Sequence, residues 1–373
     1  MENIKEKIIG IAKRIHIDCI GFTSAESFKK IKPILEERGK KGYLSGFEEK
    51  DLQKRIEPKE IFADAQSIIS IGLSYNQELD KPNHGELYGK ITKSSWGRDY
   101  HQVLQEKMKE LMDCIEREIA PVEYKIFVDT GPLVDREVAY RAGLGSFGKN
   151  NFIIHPQFGS WFFIGNVLVD FKIEEDFPIE EDICDSCDLC IKACPTKALK
   201  GAYQFNARKC ISYLTQKKEL LSEEERKSIG MNIYGCDICQ LACPKNKKAK
   251  SSNHQSFQPD PDLAFPRIQK LLNMTNREFK EDFEPIAAAW RGKKVLQRNA
   301  MIALGNSKDP RAVPILQECL KDPRWDIRLY TIWALSQFGE EERKIIKNWC
   351  YQEGDPRVQK EIKRALGLLQ EVL

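Results

Sequence analysis

The chain has 373 residues, 41% of them hydrophobic, and a net charge of +3. That length suits two or three domains with separate cores, and the near-balanced charge gives no global polyanion-binding signal. No apolar run approaches the roughly 20 residues of a membrane helix, so no membrane partner is expected.

The opening segment, MENIKEKIIGIAKRIHIDCIGF, reads as an amphipathic helix leading into a strand. It lacks the uncharged core and small-residue cleavage site of an export signal. The expected compartment is the cytoplasm, where reducing conditions make clustered cysteines metal ligands rather than disulfide partners.

SIISIGLSY (67–75) is a β-branched apolar run, the pattern of a buried strand. The stretch 76–95, NQELDKPNHGELYGKITKSS, is a long polar loop of the kind used for lids and binding. YKIFVDTGPL (124–133) reads as another strand, ending in Asp-Thr-Gly-Pro turn chemistry in which Asp129 caps the turn. DREVAYRAG, from Asp135, has the pattern of a helix start. In RAGLGSFGKN, Gly143, Gly145 and Gly148 allow close backbone approach to a ligand. They match G-x-G-x-x-G by letter, but the strand and acidic residue of a dinucleotide site are missing. NNFIIHP and GSWFFIGNVLVD read as a strand pair joined by Pro156 to Gly159.

The chain contains 12 cysteines, unevenly placed. Cys19, Cys114, Cys319 and Cys350 are isolated and read as small buried apolar residues. The other eight are concentrated: CDSCDLCIKACP from Cys184 is C-x2-C-x2-C-x3-C-P, and CDICQLACP from Cys236 repeats its tail. In two-cluster ferredoxins the cysteine before proline ligates the other cluster. Cys184, Cys187, Cys190 and Cys243 are therefore expected to hold one [4Fe–4S] cluster, and Cys194, Cys210, Cys236 and Cys239 a second. Two all-thiolate zinc sites are the alternative, since paired C-x2-C units also bind zinc. Two adjacent clusters carry single electrons, and nothing after Cys243 resembles a redox site. The acceptor is expected within residues 1–180.

The C-terminal region repeats. ALG at 303–305, ALS at 334–336 and ALG at 365–367 recur every 31 residues, and DPR at 322–324 and 355–357 is expected to open the second and third helices. Such units form a short solenoid of the HEAT type. Before it, Arg291, Lys293, Lys294 and Arg298 crowd a segment that is either a solvated helix face or a phosphate-contacting one.

Taken together, GYLSGFEEKDLQKRIEPK (42–59), SSWGRDYH (94–101), VDTGP (128–132), RAGLGSFGKN, the eight cysteines with RKCISYLTQKK (208–218), YGCDICQLACPKN and NREF…WRGKK…QRNA resemble epoxyqueuosine reductases. The resemblance covers nearly the whole chain. It implies an α+β multidomain protein: an α/β cobalamin-binding domain over 1–175, a ferredoxin-like two-cluster [4Fe–4S] domain over 176–260, and HEAT-like α-helical repeats over 261–373, present in only some members. It implies base-off cobalamin, reduced through the nearer cluster to the cob(I) state, and fits the absence of a D-x-H-x-x-G box. The implied reaction reduces epoxyqueuosine to queuosine at the tRNA wobble position, the last step of queuosine biosynthesis. An external flavodoxin- or ferredoxin-type electron donor and a monomeric enzyme are expected with it. Asp129 matches the family's proton donor, for which burial near the corrin would have to raise the pKa; Asp135 is the spare candidate. Arg55, Ile153 and Ser212 are implied cofactor contacts. Thr92 stands where some members carry a cysteine facing cobalt. Arg208 and Lys217 are expected to join Arg291, Lys293 and Lys294 on tRNA. A corrinoid reductase of the reductive dehalogenase type is the alternative with similar parts.

Overall fold

The computed structural model describes residues 4–82 and 85–368; residues 1–3 of the expected first helix, 83–84 of the polar loop and 369–373 of the repeat region lie outside them. Two compact units divide the chain. The first comprises Met1–Glu78, Gly97–Cys210 and Asp237–Gln258, the second Leu79–Trp96, Ile211–Cys236 and Pro259–Leu373. In chain order the strands are β1 (Cys19–Ser24), β2 (Ser67–Ser74), β3 (Lys90–Ile91), β4 (Tyr124–Phe127), β5 (Ser146–Phe147), β6 (Ile153–Ile154), β7 (Phe162–Val169), β8 (Leu199–Gly201), β9 (Gln204–Phe205) and β10 (Asn232–Tyr234).

The first unit is built on a sheet of order β1-β2-β7-β4 whose pairings are all antiparallel. Every residue of β2 is buried, because helices cover both faces of the sheet. The two-residue period of a strand divides its side chains between them. Ile69, Ile71 and Leu73 face Leu104, Met108 and Leu111 of the helix Tyr100–Glu118, and Ile68 joins Leu133 and Val138 in the opposite cluster. Each such side chain contributes about 1.5–3 kcal/mol by leaving water.

The glycine-rich stretch serves the chain's own backbone. A Cβ at Gly145 would lie 2.4 Å from the Ile154 carbonyl oxygen, and one at Gly143 2.9 Å from that of Phe177. The close approach expected for a ligand is thus made by β6 and the following chain. This also corrects the expected strand pair: β6 pairs with β5, and only the isolated His155–Gly159 bridge closes the turn before β7. The strand expected over 124–133 ends at Phe127, because the chain turns sharply at Asp129.

In the second unit, β3 pairs in parallel with β10, so part of the polar loop is structured. The helices Lys293–Ser307, Trp325–Leu335 and Pro356–Ala365 pack in succession. The middle one is buried almost all round because it has a neighbour on each side. Asp355 caps the third helix, accepting the Arg357 N–H at 2.9 Å with Pro356 as its first residue. The earlier DPR differs. Asp322 accepts the Arg324 N–H at 2.8 Å, but Arg324 is extended and the helix begins at Trp325.

Arg298 is not a phosphate-contacting side chain. It is buried, and its guanidinium donates to the carbonyls of Leu214 and Thr215 at 3.3 Å. The neighbouring Asn299 donates to Thr215 and Ile233 carbonyls at 2.7 and 2.8 Å.

Candidate active site and metal centres

Asp129 occupies an unusual backbone position. Its φ is +50°, and the flanking Val128 carbonyl accepts the Thr130 N–H, making a γ-turn that a non-glycine residue adopts only under strain. The turn leaves the Asp129 side chain 65% exposed. Tyr100 at the start of the long helix donates its hydroxyl to Asp129 Oδ2 at 2.7 Å, and His101 Nε2 lies 3.6 Å from the same oxygen. His101 Nδ1 is 2.7 Å from Asp99 Oδ1, and Asp99 also caps the helix through the His101 N–H at 3.0 Å.

The charge states reverse one expectation. Surrounding protein pushes the Asp129 carboxyl up, but the nearby His101 and the hydrogen bond from Tyr100 outweigh it and hold Asp129 below the ordinary carboxylate range. Burial opposes protonation of His101, yet its two aspartates raise it to about 9. The carboxyl whose proton is held toward neutral pH is Asp135 instead. Burial, reinforced by the negative charge of Asp129, raises it to about 7, and Asn166 Nδ2 donates to its Oδ1 at 2.7 Å. Asp135 is the first residue of the helix Asp135–Arg141, as expected.

Beside this pair lies a group of arginines. Arg38, Arg55 and Arg136 are each shifted down by burial, and Arg136 further disfavours the charge on the other two. Glu48 is their shared acidic neighbour, and Arg136 donates to the Asn151 carbonyl at 2.6 Å. Arg38 Nε and Asn150 Nδ2 are buried with no hydrogen-bond partner. Buried donors lacking acceptors are costly unless a ligand supplies them. This donor-rich place fits a group carrying many amide carbonyls and a phosphate, as cobalamin does. Ile153 is buried in β6 within a small apolar cluster. Ser212 lies in the short helix Ile211–Leu214 of the second unit, where Gln216 Nε2 donates to its hydroxyl at 3.3 Å. Thr92, in the same unit, is buried and continues the β3–β10 pairing through its N–H to the Tyr234 carbonyl at 3.0 Å.

The cysteines suit a metal group. No disulfide forms among the described residues. The helices Leu189–Ala193 and Ile238–Leu241 pack together in the first unit. Burial pushes the Cys190 thiol up to about 11, with the nearby charges of Cys184 and Cys243 adding to the rise. These three are thus neighbours, and a metal centre would bind them as thiolates, releasing their protons. Cys184 accepts the Lys149 N–H and Cys194 the Ala198 N–H, both at 3.4 Å.

The basic candidates separate. Arg208 is exposed, with Nε donating to the Leu44 carbonyl at 3.0 Å. Lys217 is engaged with both Glu225 oxygens, at 2.8 and 3.1 Å. Arg291 stacks 3.7 Å from the Trp290 ring centroid. Lys293 Nζ donates to the Met274 carbonyl at 2.9 Å, and Lys294 pairs with Asp326 at 3.1 Å. Sequence reasoning did not single out Asp99, Tyr100, His101, Arg38 or Arg136. The first three lie inside SSWGRDYH, but nothing in that string says that they meet the VDTGP turn.

The family described as "Epoxyqueuosine reductase QueG, DUF1730" matches residues 55–130, "4Fe-4S double cluster binding domain" 183–246 and "HEAT repeats" 286–367. Residues 183–246 are thus a 4Fe–4S double-cluster segment, which sets the zinc reading aside. An epoxyqueuosine reductase of Lactococcus garvieae is 43% identical over 92% of this chain and 98% of its own. That of Bacillus subtilis is 43% identical over 98% and 96%. An epoxyqueuosine reductase solved with a tRNA-Tyr epoxyqueuosine-modified stem loop superposes with a TM-score of 0.93 at 42% identity, covering 98% of each chain. A Bacillus subtilis structure, with an aspartate catalytic loop swung out of the active site, gives 0.92 at 41% identity over 98% and 99%. With full-length relatives at this identity, the α+β core, the double-cluster segment and the HEAT repeats all in place, the chain belongs to the epoxyqueuosine reductase family.

Proposed function

We propose that this enzyme reduces epoxyqueuosine to queuosine in tRNA. The observation that carries the reading is the 43% identity to named epoxyqueuosine reductases along nearly the whole chain. The reaction removes the epoxide oxygen as water and consumes two electrons and two protons. Residues 1–175 would bind cobalamin, with Arg55 and its arginine neighbours receiving polar groups and Ile153 and Ser212 as further contacts. When bound, cobalamin supplies a nucleophilic cobalt able to open the epoxide. Residues 176–260 would hold the two clusters, one on Cys184, Cys187, Cys190 and Cys243 and the other on Cys194, Cys210, Cys236 and Cys239. Residues 261–373 would form the repeat domain. Arg208, Lys217, Arg291, Lys293 and Lys294 would meet tRNA phosphates, Lys217 only after leaving Glu225.

Asp129 is the acid in this reading, and its exposure on a strained turn supports that role. It must acquire a proton at the moment of reaction, since its resting environment favours the carboxylate. An external flavodoxin- or ferredoxin-type donor would feed a monomeric enzyme in the cytoplasm. No helix among the described residues is long and apolar enough to cross a membrane. The test is anaerobic incubation of cobalamin-loaded protein with epoxyqueuosine-containing tRNA and a chemical reductant. Mass spectrometry of the released nucleosides should show queuosine replacing epoxyqueuosine; loss of neither substrate nor reductant would sink the reading.

A further inference from the structure

We infer that His101, backed by Asp99, is the positioning residue that recharges Asp129 with protons during epoxide reduction. The inference rests on the reading of Asp129 as the acid. Two carbon–oxygen bonds break, one carbon–carbon double bond forms, and the oxygen leaves as water. The two electrons come from the external one-electron donor and the two protons pass through the protein. A single carboxyl holds one proton, so it must be refilled between the two transfers.

The geometry supplies the refill. The His101 ring lies between two carboxylates, its Nδ1 2.7 Å from Asp99 Oδ1 and its Nε2 3.6 Å from Asp129 Oδ2. The Tyr100 hydroxyl fixes that same Asp129 oxygen at 2.7 Å, and its ring stacks on His101 with centroids 4.0 Å apart. The charged groups acting on His101 are Asp99 on its own helix and Asp129 on the turn after β4. Arg136 and Asp135, on the next helix, act on Asp129 in turn. His101 is 28% exposed, so water can reprotonate it. The imidazolium thus holds the proton at rest, beside a carboxylate that would otherwise draw from dilute hydronium.

Asp99→Asn is a clean probe, because asparagine caps a helix as well as aspartate does while removing the charge. Wild-type single-turnover rates should be level from about pH 6 to 8 and fall above about 9, the proton-donor form being lost there. In Asp99→Asn that fall should move toward about 6.5, the ordinary imidazole value. In His101→Gln the level region should vanish. The rate should then drop about tenfold per pH unit, following the protonated fraction of Asp129, and be at least about tenfold below wild type at pH 7. A 13Cε1-histidine titration of the holoenzyme, which has five histidines, gives a readout independent of turnover. One resonance, absent from His101→Gln, should titrate near 9 and shift down in Asp99→Asn. A His101→Gln enzyme with wild-type rate and level region overturns the inference, as does a His101 resonance titrating near the free value. Wild-type turnover in Asp129→Asn would instead overturn the reading of the acid itself.

Discussion

Asp129 and Asp135 bracket one short turn, and their surroundings shift them in opposite directions, Asp129 below the ordinary carboxylate range and Asp135 up to about 7. Their substitutions should therefore separate. Asp129→Asn is expected to retain both clusters and bind tRNA, yet convert epoxyqueuosine at least about a hundredfold more slowly, the usual scale for loss of a general acid. Asp135→Asn should cost far less; single-turnover assays at pH 7 compare the two. Asp135 should instead reveal itself in stability. Its folded pKa is raised to about 7, above the unfolded value near 3.9, so the folded state binds the extra proton between them. Stability must then fall as pH rises through that window. Asp135→Asn should flatten the decline and gain on the order of 1–3 kcal/mol above pH 7, after discounting for partial solvent screening. Urea unfolding at pH 5 and pH 8 measures this, and a parallel decline in both proteins would contradict it.

Among the elements, the attachment of the last described helix gives a sharp test. Arg226 of the helix Glu223–Ile229 donates to Glu361 of the helix Pro356–Ala365 at 2.7 Å, with both side chains under 9% exposed. Arg364 binds the same carboxylate and also Glu223. Removing one partner of a buried pair strands the other charge, so Glu361→Ala should cost about 3–5 kcal/mol. Exposed Lys321→Ala, whose Glu318 partner is also exposed, should cost under about 1 kcal/mol. Guanidinium unfolding of the two variants makes the comparison. The repeat helices and β2 were legible in the sequence because burial imposes a period that survives in residue type. The end of β4 was not, since Asp129 takes a left-handed turn that its residue type only permits. Nor was the burial of Arg298: a guanidinium that satisfies backbone carbonyls and one that meets phosphate are the same letter. The double-cluster segment was legible because cysteine spacing is itself the chemistry, whereas the Asp99–His101–Asp129 contacts join chain segments that no spacing connects.

Over the whole molecule, the metal content and the charge each give one prediction. Anaerobic reconstitution should load about eight irons and eight sulfides per chain, and Cys210→Ala should lose one cluster while sparing the other. Iron and sulfide assays decide this, and loss of neither would break the ligand assignment. The net charge of +3 is too small to attract tRNA by itself, so affinity must come from local cations. The segment 291–294 offers three, in unequal condition. Arg291 is spread over Trp290, and Lys294 is 62% exposed and paired with the largely buried Asp326, which is 14% exposed. Lys293 already donates to the Met274 carbonyl. Each phosphate contact contributes about −0.9 to the slope of log affinity against log salt on a duplex. Replacing all three by alanine should therefore flatten the slope by about 2 rather than 3, with Lys293→Ala alone changing it least. Binding of tRNA measured between low and moderate potassium chloride gives the slopes, and cobalamin binding should stay unchanged. An unaltered slope would return the segment to a solvated helix face.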